Sequence, residues 1–118
     1  MSLFIAMPVA AQSTSPFGIP IKDFGGATLL TQNWMSFQDY PDSAMRSDVE
    51  GRVIVGFDIG VTGRVENCAV RTSSGYKVLD DVPCRLLNRK ARLRPAVDES
   101  GSARVAQAVL SVDFWMPR

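Results

Sequence analysis

The chain has 118 residues, 46% hydrophobic and 21% charged, which is the content of one domain with a single modest core. Thirteen basic residues against twelve acidic ones leave a formal charge of +1, without the clustered basic excess that nucleic acid demands. Histidine is absent, which removes serine–histidine and cysteine–histidine nucleophile pairs and every imidazole zinc site, and two cysteines alone cannot complete a structural zinc site. Composition therefore points away from an enzyme, and no metal or other cofactor is expected.

Leu3 to Ala11 is a short apolar run that ends in Val9-Ala10-Ala11 before Gln12. It falls well short of the roughly 20 apolar residues of a membrane span. The small residues at its end read as the back half of a secretory signal peptide cleaved after Ala11, with the positively charged start missing. Residues 1–11 are accordingly taken as a signal remnant, and the mature protein as exported, where disulfides are permitted. The other reading is an apolar tail.

Residues 12–37 form a leader in which Pro16, Gly18, Pro20, Gly25 and Gly26 argue against regular structure. Phe17, Ile19, Ile21 and Phe24 can still pin it to a domain surface as a short edge strand. Leu29, Leu30, Trp34 and Phe37 suggest that its later part packs.

From Tyr40 onward the punctuation is clear. Pro41 opens a short predicted helix that Gly51 stops, with Ala44, Met45 and Val49 as its apolar contacts. Arg52 to Ile59 alternates, placing Val53, Val55, Phe57 and Ile59 on one face of a strand. Gly60 to Gly63 is a turn, and Arg64 to Arg71 returns as the second strand of a hairpin. There Cys68 and Val70 share one face, and Val65, Asn67 and Ala69 the other. Asp80 is placed as the cap of a second helix running to Lys90, with Pro83 tolerated in its first turn. Pro95 ends an extended piece, and Glu99 to Ser102 is a turn. Ala103 to Met116 is a long strand with Ala106, Ala108, Leu110, Val112 and Phe114 on one face. The predicted domain, residues 38–118, is therefore α+β in the order α-β-β-α-β. It has a small antiparallel three-stranded sheet and both helices on one face.

These landmarks, in this order, resemble the C-terminal domain of TonB, the energy transducer of bacterial envelopes. The matching pieces are Tyr40-Pro41 with Ala44, Gly51-Arg52-Val53, Gly63-Arg64-Val65, Ser73-Ser74-Gly75, Leu79-Asp80, Arg92-Leu93-Arg94-Pro95-Ala96, and Asp98 with Gly101. The resemblance implies a periplasmic, non-enzymatic domain that grips the TonB box, a short extended segment of TonB-dependent outer-membrane receptors. Complete transducers of that kind also carry a membrane helix, a proline-rich spacer and ExbB/ExbD partners. Neither helix nor spacer is seen here, so ExbB and ExbD, and attachment to the inner membrane, are implied only if the native amino terminus is longer.

A long last strand at a sheet edge offers unpaired N–H and C=O groups to an incoming peptide, and alternate side chains read it. The candidate edge is Gln107, Ala108, Val109, Leu110, Ser111, Val112 and Asp113. The family also uses its first helix beside that edge, and its characteristic glutamine falls at Met45 here, which makes that contact apolar. An interior or dimer-paired strand is the competing reading, so a homodimer through this edge is the other partner considered. The corresponding alternative function is a self-associating envelope scaffold, similar to the TolA C-terminal domain.

Cys68 lies on a strand and Cys84 on the helix expected to pack over it, both where the family usually has an apolar core residue. In an exported protein a Cys68–Cys84 disulfide is expected; two buried free thiols are the alternative, and no Cys-X-X-Cys spacing suggests redox work. Arg85, Arg89, Lys90, Arg92 and Arg94 read as the solvated face and end of the second helix, where cations suit the dipole. Contact with an acidic segment, anionic lipid or peptidoglycan is the other use for them. Trp34 and Trp115 read as packing residues. Asp80 and Asp81, adjacent on a helix, point apart and make no catalytic dyad.

Overall fold

The structure is a computed structural model that describes residues 17–18, 22–31 and 34–115. The signal remnant, its cleavage site after Ala11, Ile19, Ile21 and Met116 lie outside the described residues. In chain order the elements are β1 (Phe17–Gly18), β2 (Lys22–Asp23), β3 (Thr28–Leu29), a 3-10 turn (Phe37–Asp39), α1 (Asp42–Arg46), β4 (Gly51–Ile59) and β5 (Val65–Thr72). There follow α2 (Lys77–Lys90), β6 (Leu93–Arg94), β7 (Ala96–Val97), β8 (Ala103–Arg104) and β9 (Ala106–Phe114).

The main sheet is antiparallel and five-stranded rather than the three-stranded one expected: β4 lies between β9 and β5, and the short leader strands β1 and β2 both pair with the other edge of β9. Alternation in the two long strands sets its register. Val53, Val55, Phe57 and Ile59 lie opposite Val112, Leu110, Ala108 and Ala106, and all eight are buried. A slip of one residue would turn this whole apolar set to solvent. Leu79, Val82 and Leu86 of α2, spaced three and four apart, close over that face together with Leu87, Ala44 of α1, Trp34 and Tyr40. Tyr40 packs edge-on against Phe114 with ring centroids 5.5 Å apart, and its hydroxyl donates to the Val49 carbonyl at 2.6 Å.

Several elements depart from the sequence expectation, each for a local reason. α1 ends at Arg46, five residues before Gly51. Asp48 takes a left-handed conformation (φ 55°), while the Asp48 and Val49 N–H groups bond back to the Met45 and Ala44 carbonyls, a glycine-type helix stop built on aspartate. α2 starts at Lys77, so Asp80 is not its cap, and Pro83 sits in the second turn, where it removes an intrahelical donor. The long last strand is divided at Val105: Ala103–Arg104 pairs with Ala96–Val97 in a small hairpin, and only Ala106–Phe114 joins the main sheet.

β5 does not alternate evenly. Gly56 pairs with Ala69 and Asp58 with Glu66, so two residues of β5 face one of β4. Asn67, at φ 54°, takes up the extra length, and its side-chain amide donates to the Asp58 carboxylate at 2.9 Å. The bulge reverses the face expected for Val65, which lies opposite Ile59 and is buried, on the side of the sheet that also carries Cys68. Cys68 and Cys84 are disulfide-bonded, with Cα atoms 5.6 Å apart.

Candidate peptide-docking edge

Strand β9 has two edges. The inner one pairs with β4 along its whole length, from Ala106↔Ile59 to Phe114↔Gly51. The outer one is not free. Phe17 and Gly18 pair with Phe114 and Asp113, and Lys22 and Asp23 with Leu110 and Val109, all antiparallel. The expectation of an unoccupied margin over Gln107–Asp113 is therefore corrected: the chain's own leader lies along it. The sequence allowed a short edge strand in the leader but not which edge it would take, because main-chain pairing leaves little trace in side-chain pattern and each leader strand is two residues long.

Within the predicted edge the side chains divide by face. Ala108, Leu110 and Val112 point into the core, and Ser111 is buried on the opposite face. Gln107 is exposed, and Val109 and Asp113 are half-exposed. Asp113 accepts from Arg52 across the β4–β9 ladder, Nε to Oδ1 at 2.7 Å and Nη2 to Oδ2 at 3.1 Å. That hydrogen bond, and then the carboxylate charge, raise the Arg52 pKa further above its ordinary value. Met45 is half-buried and packs on the core, and the Tyr40–Phe114 contact brings the chain just before α1 to the end of β9 where Phe17 and Gly18 pair.

The short sequence landmarks are brought together in pairs. A Cβ on Gly51 would lie 2.8 Å from the Ser74 Cβ, so the start of β4 and the β5–α2 loop pack with no room for a side chain. Asp80 reaches back to that loop, accepting from the Ser74 N–H at 2.8 Å, the Ser74 hydroxyl at 2.7 Å and the Ser73 hydroxyl. Gly63, in the β4–β5 turn, accepts from the Leu93 N–H at 2.9 Å. Asp98 gathers the N–H groups of Ser100 and Ser102 at 2.9 Å each, shaping the β7–β8 turn; the Ser100 hydroxyl and those N–H groups hold its carboxyl below the ordinary range.

Residues 37–116 match the model of the family described as Gram-negative bacterial TonB protein C-terminal. The chain belongs to this family. A solution NMR structure of the Pseudomonas aeruginosa TonB C-terminal domain is similar in fold, with a TM-score of 0.64 at 24% identity, covering 79% of this chain and 89% of that one. Comparison with curated proteins gives no match.

The TonB match begins at residue 37, where the leader ends. Inside the matched span, and among the described residues, β9 pairs with β4 alone; its outer partners come from residues 17–18 and 22–23. Of the basic cluster, Arg85, Arg89, Lys90 and Arg94 are exposed, and Lys90 lies 3.9 Å from Asp39. Among the described residues no helix is long and apolar enough to cross a membrane.

The Asp80 clamp gives this TonB domain a pH dependence. Burial, the largest single influence, works against ionisation, but the Ser73 and Ser74 hydrogen bonds, joined by the Lys77 charge, outweigh it and lower the Asp80 pKa. A carboxyl whose pKa drops on folding stabilises the fold above the ordinary carboxylate range of about 4, and that contribution is lost as pH falls through the folded value. Asp80→Asn should therefore lower stability at pH 7 by about 1 kcal/mol, given the partly solvated site. In urea melts the gap from wild type should close towards pH 3; a gap that stays constant with pH would refute the assignment.

Proposed function

We propose that this domain is a periplasmic, non-enzymatic binding module that docks the TonB box of an outer-membrane receptor by adding that segment to the outer edge of β9. One observation carries the reading. No described strand of the family-matched span pairs with this outer edge, and the edge is able to take extended chain, because two segments from outside that span already pair with it. Main-chain hydrogen bonds supply affinity, and the alternating faces of Val109 to Asp113 read the guest. The docking residues are Gln107 to Asp113, with Met45 as the apolar contact contributed by α1. Domains of this family are periplasmic and generally interact with outer-membrane receptors, which fits the same role.

The full chain, labelled with nitrogen-15, should show amide shifts concentrated along Gln107–Asp113 and at Gly18 when titrated with synthetic receptor TonB-box peptides. A chain that shifts with no such peptide and runs as a stable dimer by light scattering would instead be the self-associating scaffold.

A further inference from the structure

The leader is held to β9 by two very different grips. At one end residues 24–31 are built into the fold. Phe24 packs against Phe57 with ring centroids 6.5 Å apart, and Gly25 adopts φ +61° so close to β9 that a Cβ there would lie 2.5 Å from the Gln107 carbonyl oxygen. Arg104 donates to the Gly25 carbonyl at 3.2 Å, Thr28–Leu29 pairs with Leu93–Arg94, and the Leu30 N–H donates to the Arg92 carbonyl at 2.8 Å. At the other end, Phe17–Gly18 meets β9 at Phe114 and Asp113, and the exposed Lys22–Asp23 meets it at Leu110 and Val109.

We propose that the leader is a built-in competitor for the β9 edge, with residues 24–31 as its fixed root and the paired strands Phe17–Gly18 and Lys22–Asp23 as an exchangeable tip that an incoming segment replaces. The proposal rests on the reading of β9 as the docking edge. The root keeps the tip at high effective concentration, because an attached segment never has to be brought from solution. Among the described residues the tip is paired with β9 at four positions through main-chain bonds, each of modest net worth in water. Such a tip keeps the edge mostly closed without sealing it, and the apparent affinity for a guest falls by the fraction of molecules in which the tip is open. The root also guards the fold: a guest taking the tip's place leaves Phe24 in the core and Gly25 against Gln107, so docking needs no loss of packing. An edge closed in this way is also shielded from pairing with other copies when no guest is present.

The test uses the full chain and the double variant F17P/G18P. Consecutive strand residues direct their N–H groups to opposite sides, so one of these two faces β9, and two prolines remove it whichever it is. The root is untouched, so the variant should stay folded, with a melting temperature several degrees below wild type, the stabilisation that a tip closing the edge about tenfold supplies. The variant should bind synthetic receptor TonB-box peptides about tenfold more tightly. Without peptide, the amides of Val112 to Phe114 that face outward should exchange with solvent faster, while those bonded to β4 should not change. Equal affinities with unchanged exchange would overturn the competitor role and leave the docking reading standing. Weaker binding by the variant would overturn it too, by making the tip part of the site. Binding by neither protein would remove the docking edge itself and the competitor with it.

Discussion

Gly63→Ala should lower stability by about 3–4 kcal/mol, among the largest effects available from a single methyl group in this domain. Gly63 sits at φ +82°, a conformation that costs a side-chain-bearing residue roughly 1–2 kcal/mol. The greater part of the loss is steric: a Cβ there would lie 2.0 Å from the Leu93 carbonyl oxygen, and what must give way is backbone rather than a flexible side chain. Leu93 cannot retreat cheaply. Its N–H bonds the Gly63 carbonyl, its side chain is buried, and its strand pairs with Leu29. The substitution should therefore loosen the β4–β5 turn and the β3–β6 pair together. Urea denaturation with a fluorescence readout measures the loss, and a change below about 1 kcal/mol would show that the turn relaxes freely.

Removing the disulfide should be of similar size. Cys68 and Cys84 close a loop with a sequence separation of 16, and a loop of that length stabilises by about 3 kcal/mol through restriction of the unfolded chain. Cys68→Ala with Cys84→Ala, or reduction of the wild type, should lower the melting temperature by on the order of 15 °C for a domain of this size. Intact mass should rise by about two hydrogens on reduction, each sulfur gaining one. A melting curve indifferent to reductant would remove the bond's structural role. The bond also fastens the sheet's other border. It ties β5, whose ladder is interrupted by the bulge at Asn67, to the helix above it.

How far the site can be read from sequence depends on what each signal measures. The β9 side chains are legible because burial has period two, and Ala106, Ala108, Leu110, Val112 and Phe114 all fall on the core face. The cysteine pair is legible because a helix packed on a sheet brings two otherwise unrelated positions together. The face of Val65 is misread because a bulge is a change in count, and a left-handed Asn67 has no fixed mark in the sequence. The start of α2 is placed too late because Asp80 looks like a cap, whereas its carboxylate is spent on Ser73 and Ser74.

What the amino-acid sequence determined by itself is the three long strands and two helices that share the core and the family they belong to, and it favoured a Cys68–Cys84 bond over two free thiols. These follow from side-chain chemistry: apolar period, turn glycines and prolines, and thiols placed on facing elements. Only the tertiary structure decided what lies along the outer edge of β9. Main-chain N–H and C=O groups are the same at every residue, so any extended segment can bond to an open edge. Residues 17–18 and 22–23 occupy it because Phe24 and Gly25 fix the leader against Phe57 and Gln107, contacts that exist only once the sheet has formed.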